Sequence, residues 1–237
     1  MSEPSSPPVP AAPEPVTLPI ASSTRVFPVR RVYCVGRNYV SHIREMAEAD
    51  ERDDPFFFQK PRDAVVRGAT VVPYPPATND FEYEGELVVA IGVGGSAIPV
   101  QEADKHVFGL AAGIDLTRRD LQVEARQRAW PWEMGKSFDA SAPVGAITPV
   151  SGLHEVKDGE LRLTVNGVER QKSALSLMIW SPAEIVSRLS RQYRLEPGDL
   201  VMTGTPAGVG ALAPGDAIHL EITGLEPLDI TIGTTRD

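Results

Sequence analysis

Glu84 and Glu86 stand one residue apart at the mouth of an apolar run, Glu86-Leu87-Val88-Val89-Ala90-Ile91-Gly92. In an extended strand, residues i and i+2 point to the same side. Both carboxylates therefore share one face of a strand that is otherwise apolar. Two like charges at that spacing repel, and burying them unpaired is costly. A divalent cation held by oxygen ligands removes the cost. An edge strand that turns the pair to water avoids it. Taken alone, the pair fits the solvent-facing reading better, since charged side chains mostly sit at the surface. The rest of the chain reverses that balance.

The chain has 237 residues, 42% hydrophobic and 23% charged, which suits one domain with a sizeable core. Residues 1–19 are rich in Pro, Ala and Ser and cannot bury a core. We expect a disordered tail over 1–23 and a single catalytic domain over 24–237. Extended segments are expected at 26–35, 55–61 and 65–72, with Gly68 as a turn, and again from Glu84 and from Phe108 to Asp115. Leu161 to Val165 followed by Asn166-Gly167 is a hairpin signal. Helical character is expected at 40–48, 101–107 and 117–129. A further helix starts at Ser181-Pro182-Ala183-Glu184, with Ser181 as N-cap and Glu184 completing a capping box. Strands outnumber short, scattered helices, so the fold class is α+β and β-rich, not a doubly wound sheet.

Net charge is −9 at pH 7, a poor basis for binding a phosphate backbone. Nucleic acid is therefore not an expected partner. The single cysteine, Cys34, lies in a buried-strand pattern, so a packed thiol and a reducing cytoplasm are expected. No apolar run reaches the roughly 18 residues of a membrane span, and no signal-peptide pattern opens the chain. Gly92-Val93-Gly94-Gly95-Ser96-Ala97 imitates a dinucleotide fingerprint, but Ile98-Pro99 interrupts the helix it would have to open.

Several residues can carry chemistry. His42 and Glu45, three apart on a helix, can pair so that the carboxylate orients and strengthens an imidazole base; a surface ion pair accounts for them equally well. Asp115 ends an apolar strand, as a turn residue or as a third oxygen ligand beside Glu84 and Glu86. Three carboxylates without clustered Cys or His favour Mg²⁺ or Mn²⁺. Lys136, in Gly135-Lys136-Ser137, and Lys60, at the end of an apolar strand, are either solvated or directed at an anionic substrate. Thr203-Gly204-Thr205-Pro206 is a tight turn whose N–H and hydroxyl groups can hold a carboxylate.

In combination these segments resemble the fumarylacetoacetate hydrolase family. The matching blocks are Tyr33-Cys34-Val35-Gly36-Arg37-Asn38-Tyr39 with His42 and Glu45, Phe57-Phe58-Gln59-Lys60-Pro61, and Glu84 to Gly92. They continue with Asp115 to Gln122, Gly135 to Asp139, and Thr203 to Gly210. The resemblance covers the chain from about Arg30 onward. It implies a mixed β-sandwich roll, usually a homodimer, acting on a small-molecule acylpyruvate; the cytoplasmic location and the absence of a membrane partner are expected from the cysteine and hydropathy patterns above. The implied metal ligands are Glu84, Glu86 and Asp115, holding Mg²⁺ or Mn²⁺. The implied water-activating pair is His42 with Glu45, and Lys136 is implied to stabilise an oxyanion. Gln122 and Thr205 inherit substrate contacts, and Arg37 and Lys60 are further substrate-binding candidates. Arg118 and Arg119 share with Arg37 the candidacy for a distal carboxylate. The implied reaction is metal-assisted hydrolysis of a C–C bond. Decarboxylation of oxaloacetate and isomerisation of related keto acids are alternatives served by the same site, and a non-catalytic metal-binding protein is the alternative outside enzymes. Two departures stand out: Ile114 precedes the metal aspartate where many relatives have Asn, and Gly85 is expected to loosen its strand locally.

Overall fold

The computed structural model describes residues 11–39 and 54–234. The chain starts with a small hairpin, β1 (Thr17–Pro19) against β2 (Val26–Pro28). Strand β3 (Arg31–Val35) pairs antiparallel with β4 (Phe57–Lys60). The turn at Gly68 then separates β5 (Val65–Arg67) from β6 (Thr70–Pro73) and sends them to different sheets. Next come β7 (Phe81–Tyr83), β8 (Gly85–Ile91) and β9 (Val107–Ile114). Short β10 (Thr117–Arg118) leads into helices α1 (Arg119–Gln127) and α2 (Glu133–Lys136). Strands β11 (Ala142–Val144) and β12 (Thr148–Pro149) precede the hairpin of β13 (Glu160–Val165) and β14 (Val168–Ala174). Helix α3 (Pro182–Gln192) is followed by β15 (Asp199–Met202), β16 (Gly210–Ala211), β17 (Ala217–Ile222) and β18 (Leu228–Gly233).

Two larger sheets dominate, ordered β4-β3-β15-β8-β9-β11-β5 and β14-β13-β17-β18-β6, both with mixed strand directions. Strand β8 is buried along its whole length. Its odd-numbered residues, Leu87, Val89 and Ile91, pack in one core with Leu161, Leu163, Leu220 and Ile230 of the other sheet. Its even-numbered residues, Val88 and Ala90, join a second core with Cys34, Ala111, Met202, Leu18 and Phe27. A strand covered on both faces must be apolar throughout. This is the β-rich sandwich roll expected above.

The folded part begins earlier than Thr24. Leu18 and Ile20 are buried, because the β1–β2 hairpin lids the second core. The segment expected to be helical at 101–107 is a 3₁₀ helix, Val100–His106. Helix α1 starts at Arg119 because Thr117 and Arg118 pair with β7. The helix expected at 40–48 lies outside the described residues. Local signals held elsewhere. Asn166 and Gly167 take φ of 52° and 75°, the left-handed pair that a two-residue hairpin needs. Ser181 Oγ accepts from the Glu184 N–H, and the Ser181 N–H returns a 2.9 Å bond to the Glu184 carboxylate.

Candidate active site

Glu84 and Glu86 continue the row of Val88 and Ala90 to the end of β8. The Asp115 N–H donates to the Glu84 carbonyl at 2.8 Å, just beyond the Gly85–Ile114 pair of β8 and β9. Antiparallel pairing therefore puts Asp115 opposite Glu84, on the same face. All three carboxylates are buried, and each offers an oxygen within 4.8 Å of the others.

Basic groups and one backbone amide surround the triad. Lys136 Nζ donates to Glu84 Oε2 (2.7 Å), Asp115 Oδ2 (2.8 Å) and Thr117 Oγ1 (2.7 Å). Burial works against its charge, but Asp115 and Glu84 outweigh burial, and its pKa stands above the usual lysine value. Arg119 donates to Glu84 Oε1 at 2.5 Å and to Glu82 Oε2 at 2.6 Å, and it also holds Gln122 Oε1. The Gln122 carbonyl is thus engaged and its amide N–H groups remain for the cleft. The Gly204 N–H donates to Glu86 Oε2 at 2.6 Å. No cation pairs directly with Glu86 among the described residues. Its pKa is pushed well up, by burial first and then by Asp115 and Glu84.

These features fit a hard divalent ion. The donor set is three carboxylates. Glu86 carries like-charge repulsion that a cation would relieve. Asp115 Oδ1 is buried without a hydrogen bond: Lys60 Nζ lies 2.8 Å away, at ion-pair distance but out of hydrogen-bond geometry.

The cleft over the triad is lined by Gln122, Val123, Lys136, Gly204 and Thr205, with Phe58 and Trp132 as an aromatic wall and Arg37 and Arg126 among its cations. Arg37 takes φ 60°, uncommon for a side-chain-bearing residue, and its guanidinium sits 5.6 Å from the centre of the Phe56 ring. A Cβ at Gly135 would lie 2.8 Å from the Gln122 backbone nitrogen. Glycine there lets α2 close onto α1 and brings Lys136 beside Gln122.

The structure thus brings together Glu84, Glu86, Asp115, Lys136, Gln122, Thr205 and Arg37. His42 and Glu45 lie outside the described residues. Lys60 departs from the expected substrate contact. Its side chain is fully buried, and its ammonium faces Asp115, the Leu116 carbonyl (3.1 Å) and the Lys136 carbonyl. Arg118 turns away, 4.4 Å from the Phe138 ring centre. Gly85 is a site of close packing and not of slack: an added Cβ would meet Leu163 Cδ1 at 2.9 Å and Gln171 Oε1 at 3.1 Å. Sequence reasoning missed Arg126 and the aromatic wall. Arg126 stands four residues after Gln122, one turn along the same helical face, and that spacing was the available signal.

The fumarylacetoacetate hydrolase C-terminal family model matches residues 31–233. A fumarylpyruvate hydrolase from a Ralstonia species is 40% identical over 181 residues, spanning 76% of this chain and 94% of that protein. The mitochondrial oxaloacetate tautomerase of Homo sapiens is 39% identical over 196 residues, 83% of this chain and 88% of that one. Among solved structures, fumarylpyruvate hydrolase from Pseudomonas aeruginosa in complex with Mn²⁺ and pyruvate superposes with a TM-score of 0.92. It is 50% identical and covers 94% of this chain and 98% of its own.

Proposed function

The chain belongs to the fumarylacetoacetate hydrolase family, and on that premise we propose that it hydrolyses fumarylpyruvate to fumarate and pyruvate. The observation that carries this reading is the buried triad of Glu84, Glu86 and Asp115 in one cleft with Lys136, whose Nζ lies 2.7 Å from Glu84, in a chain 50% identical to a fumarylpyruvate hydrolase that holds Mn²⁺ and pyruvate. When bound at the triad, Mg²⁺ or Mn²⁺ supplies Lewis-acid polarisation of the pyruvoyl oxygens.

The chain's own groups supply the rest. Thr205 and the Gln122 amide hold the pyruvoyl end. Arg37, joined by Arg126, receives the distal carboxylate. His42, oriented by Glu45, takes a proton from water, and the hydroxide attacks the distal carbonyl. The C–C bond breaks toward the pyruvoyl fragment, which leaves as the enolate of pyruvate. Lys136 holds the negative charge where it develops. Protonation at carbon gives pyruvate, and the acyl part leaves as fumarate.

Loss of the enol absorbance of fumarylpyruvate tests this, with Mn²⁺ or Mg²⁺ and again with chelator. Metal-dependent loss with equal amounts of pyruvate and fumarate is expected. No turnover by metal-loaded protein would refute the substrate. The human relative favours a second reading, chemistry on oxaloacetate. Assay of the metal-loaded protein on both substrates separates the two: hydrolysis releases fumarate and pyruvate from fumarylpyruvate, whereas tautomerisation interconverts the keto and enol forms of oxaloacetate without cleaving it. For the decarboxylation alternative, His42→Ala should abolish hydrolysis and leave metal-driven decarboxylation largely intact. We further propose a cytoplasmic homodimer serving the gentisate route of aromatic degradation. The buried, unpaired Cys34 suits a reducing compartment, and molar mass in solution tests the dimer.

A further inference from the structure

Strand β14 is largely exposed, yet Gln171 within it is 1% exposed. Its Oε1 accepts the Gly85 N–H at 2.9 Å, and its Nε2 donates to the Pro206 carbonyl at 2.9 Å and to Thr205 Oγ1 at 2.8 Å. An N–H can only donate and a carbonyl can only accept, so Gly85 and Pro206 together determine which end of the amide is oxygen and which is nitrogen. The bond to Thr205 therefore runs one way, with Gln171 as donor.

That direction has a chemical consequence. A threonine hydroxyl has one proton. With Gln171 donating to one of the hydroxyl's two lone pairs, the Thr205 proton is not spent on Gln171 and is left to donate elsewhere, and among the described residues Thr205 Oγ1 has no other hydrogen-bond partner. Thr205 lines the cleft over the acidic triad. The same amide ties the Thr205 turn to Gly85, the residue between Glu84 and Glu86. Close packing preserves the arrangement. A Cβ at Gly85 would press on Gln171 Oε1, and a Cβ at Gly208 would lie 2.1 Å from the Arg170 carbonyl oxygen.

We infer that Gln171 is a positioning residue that polarises the Thr205 hydroxyl as a donor to an anionic substrate oxygen and locks its turn to the metal-ligand strand. This rests on the pyruvate-type substrate proposed above. Gln171 touches no substrate itself and acts through Thr205.

The test titrates pyruvate into Mn²⁺-loaded protein by calorimetry, with Mn²⁺ affinity and thermal unfolding measured alongside. Gln171→Leu and Thr205→Val should each weaken pyruvate binding roughly tenfold to a hundredfold, as expected for losing one hydrogen bond to a charged group. The double variant should bind no more weakly than the poorer single, since Gln171 acts on the substrate only through the Thr205 hydroxyl. Thr205→Ser, which keeps the hydroxyl, should restore binding to near the wild-type value. Mn²⁺ affinity should stay within about threefold, because no ligand is altered. If Gln171→Leu does not fold, Gln171→Glu carries the test. It keeps the oxygen facing Gly85, loses the N–H groups facing Thr205, and should weaken pyruvate to the same extent. Unchanged pyruvate affinity in the Gln171 variants, or effects that multiply in the double variant, would overturn the inference. Wild-type protein that binds Mn²⁺ but not pyruvate would overturn the functional reading beneath it, and the inference with it.

Discussion

Replacing Lys60 by Met should unfold the metal-free protein at a much lower temperature. The Lys60 side chain is wholly buried, and its ammonium faces Asp115 Oδ1 at 2.8 Å and two backbone carbonyls, those of Leu116 and Lys136. Methionine matches its length and apolar stem but offers no donor. Asp115 would keep Lys136 at 2.8 Å but lose its second cation, the buried Leu116 carbonyl would lose its donor, and the Lys136 carbonyl would keep only Ser141 Oγ at 3.2 Å. Removing one partner of a buried ion pair costs about 3–5 kcal/mol. For a chain of this size each kcal/mol lowers Tm by roughly 2–4 °C, so a fall of about 6–20 °C is expected. Scanning calorimetry in chelator, at matched pH and protein concentration, reads it directly. A fall of less than about 2 °C, on the same scale, would refute the reasoning. Such a result would mean that the ammonium reaches water in solution, as a substrate-contacting lysine would.

Other substitutions and conditions probe the rest of the site. Gly135→Ala should push α2 off α1, since its Cβ would lie 2.8–2.9 Å from Gln122 N, Cα and Cβ. Overpacking of that kind costs about 1–3 kcal/mol, and displacement of Lys136 should lower kcat more than it raises KM; unchanged kcat would contradict it. Saturating Mn²⁺ should raise Tm, by about 2.7 kcal/mol of added stability at one hundred times Kd, and Asp115→Asn should abolish most of that gain in the same melting assay. Glu86 has a pKa held well above 4.5 in the folded chain, so the folded state binds more protons than the unfolded one. The metal-free protein should therefore lose stability as pH rises from about 4.5 through that raised value. Glu86→Gln should flatten that part of the profile, and an unaltered slope in denaturant melts would count against this assignment.

What the sequence made legible is what local geometry determines. The period of two in β8 puts Glu84 and Glu86 on one face, and the apolar run shows that the strand is buried on both sides. The capping box at Ser181 and the Asn166-Gly167 turn each rest on residues within one turn of chain. The misread and missed features depend on distant partners. Lys60 ends β4, and no local pattern indicates that α2, some 76 residues later, closes over its ammonium. Leu18 and Ile20 lie in a Pro-rich segment whose composition argues against a strand, yet the second apolar face of β3, β8 and β15 is covered by them. Gln171 shows the principle most clearly. It stands in an otherwise exposed strand, and its three partners lie 34, 35 and 86 residues away. The only local trace of it is on the partner side, at Gly85, which looked like a weakness in the ligand strand. A glycine between the two glutamates of the proposed metal triad makes sense once the neighbouring sheet is seen to press against it. The missing side chain is the space through which a buried amide reaches the backbone of the metal site.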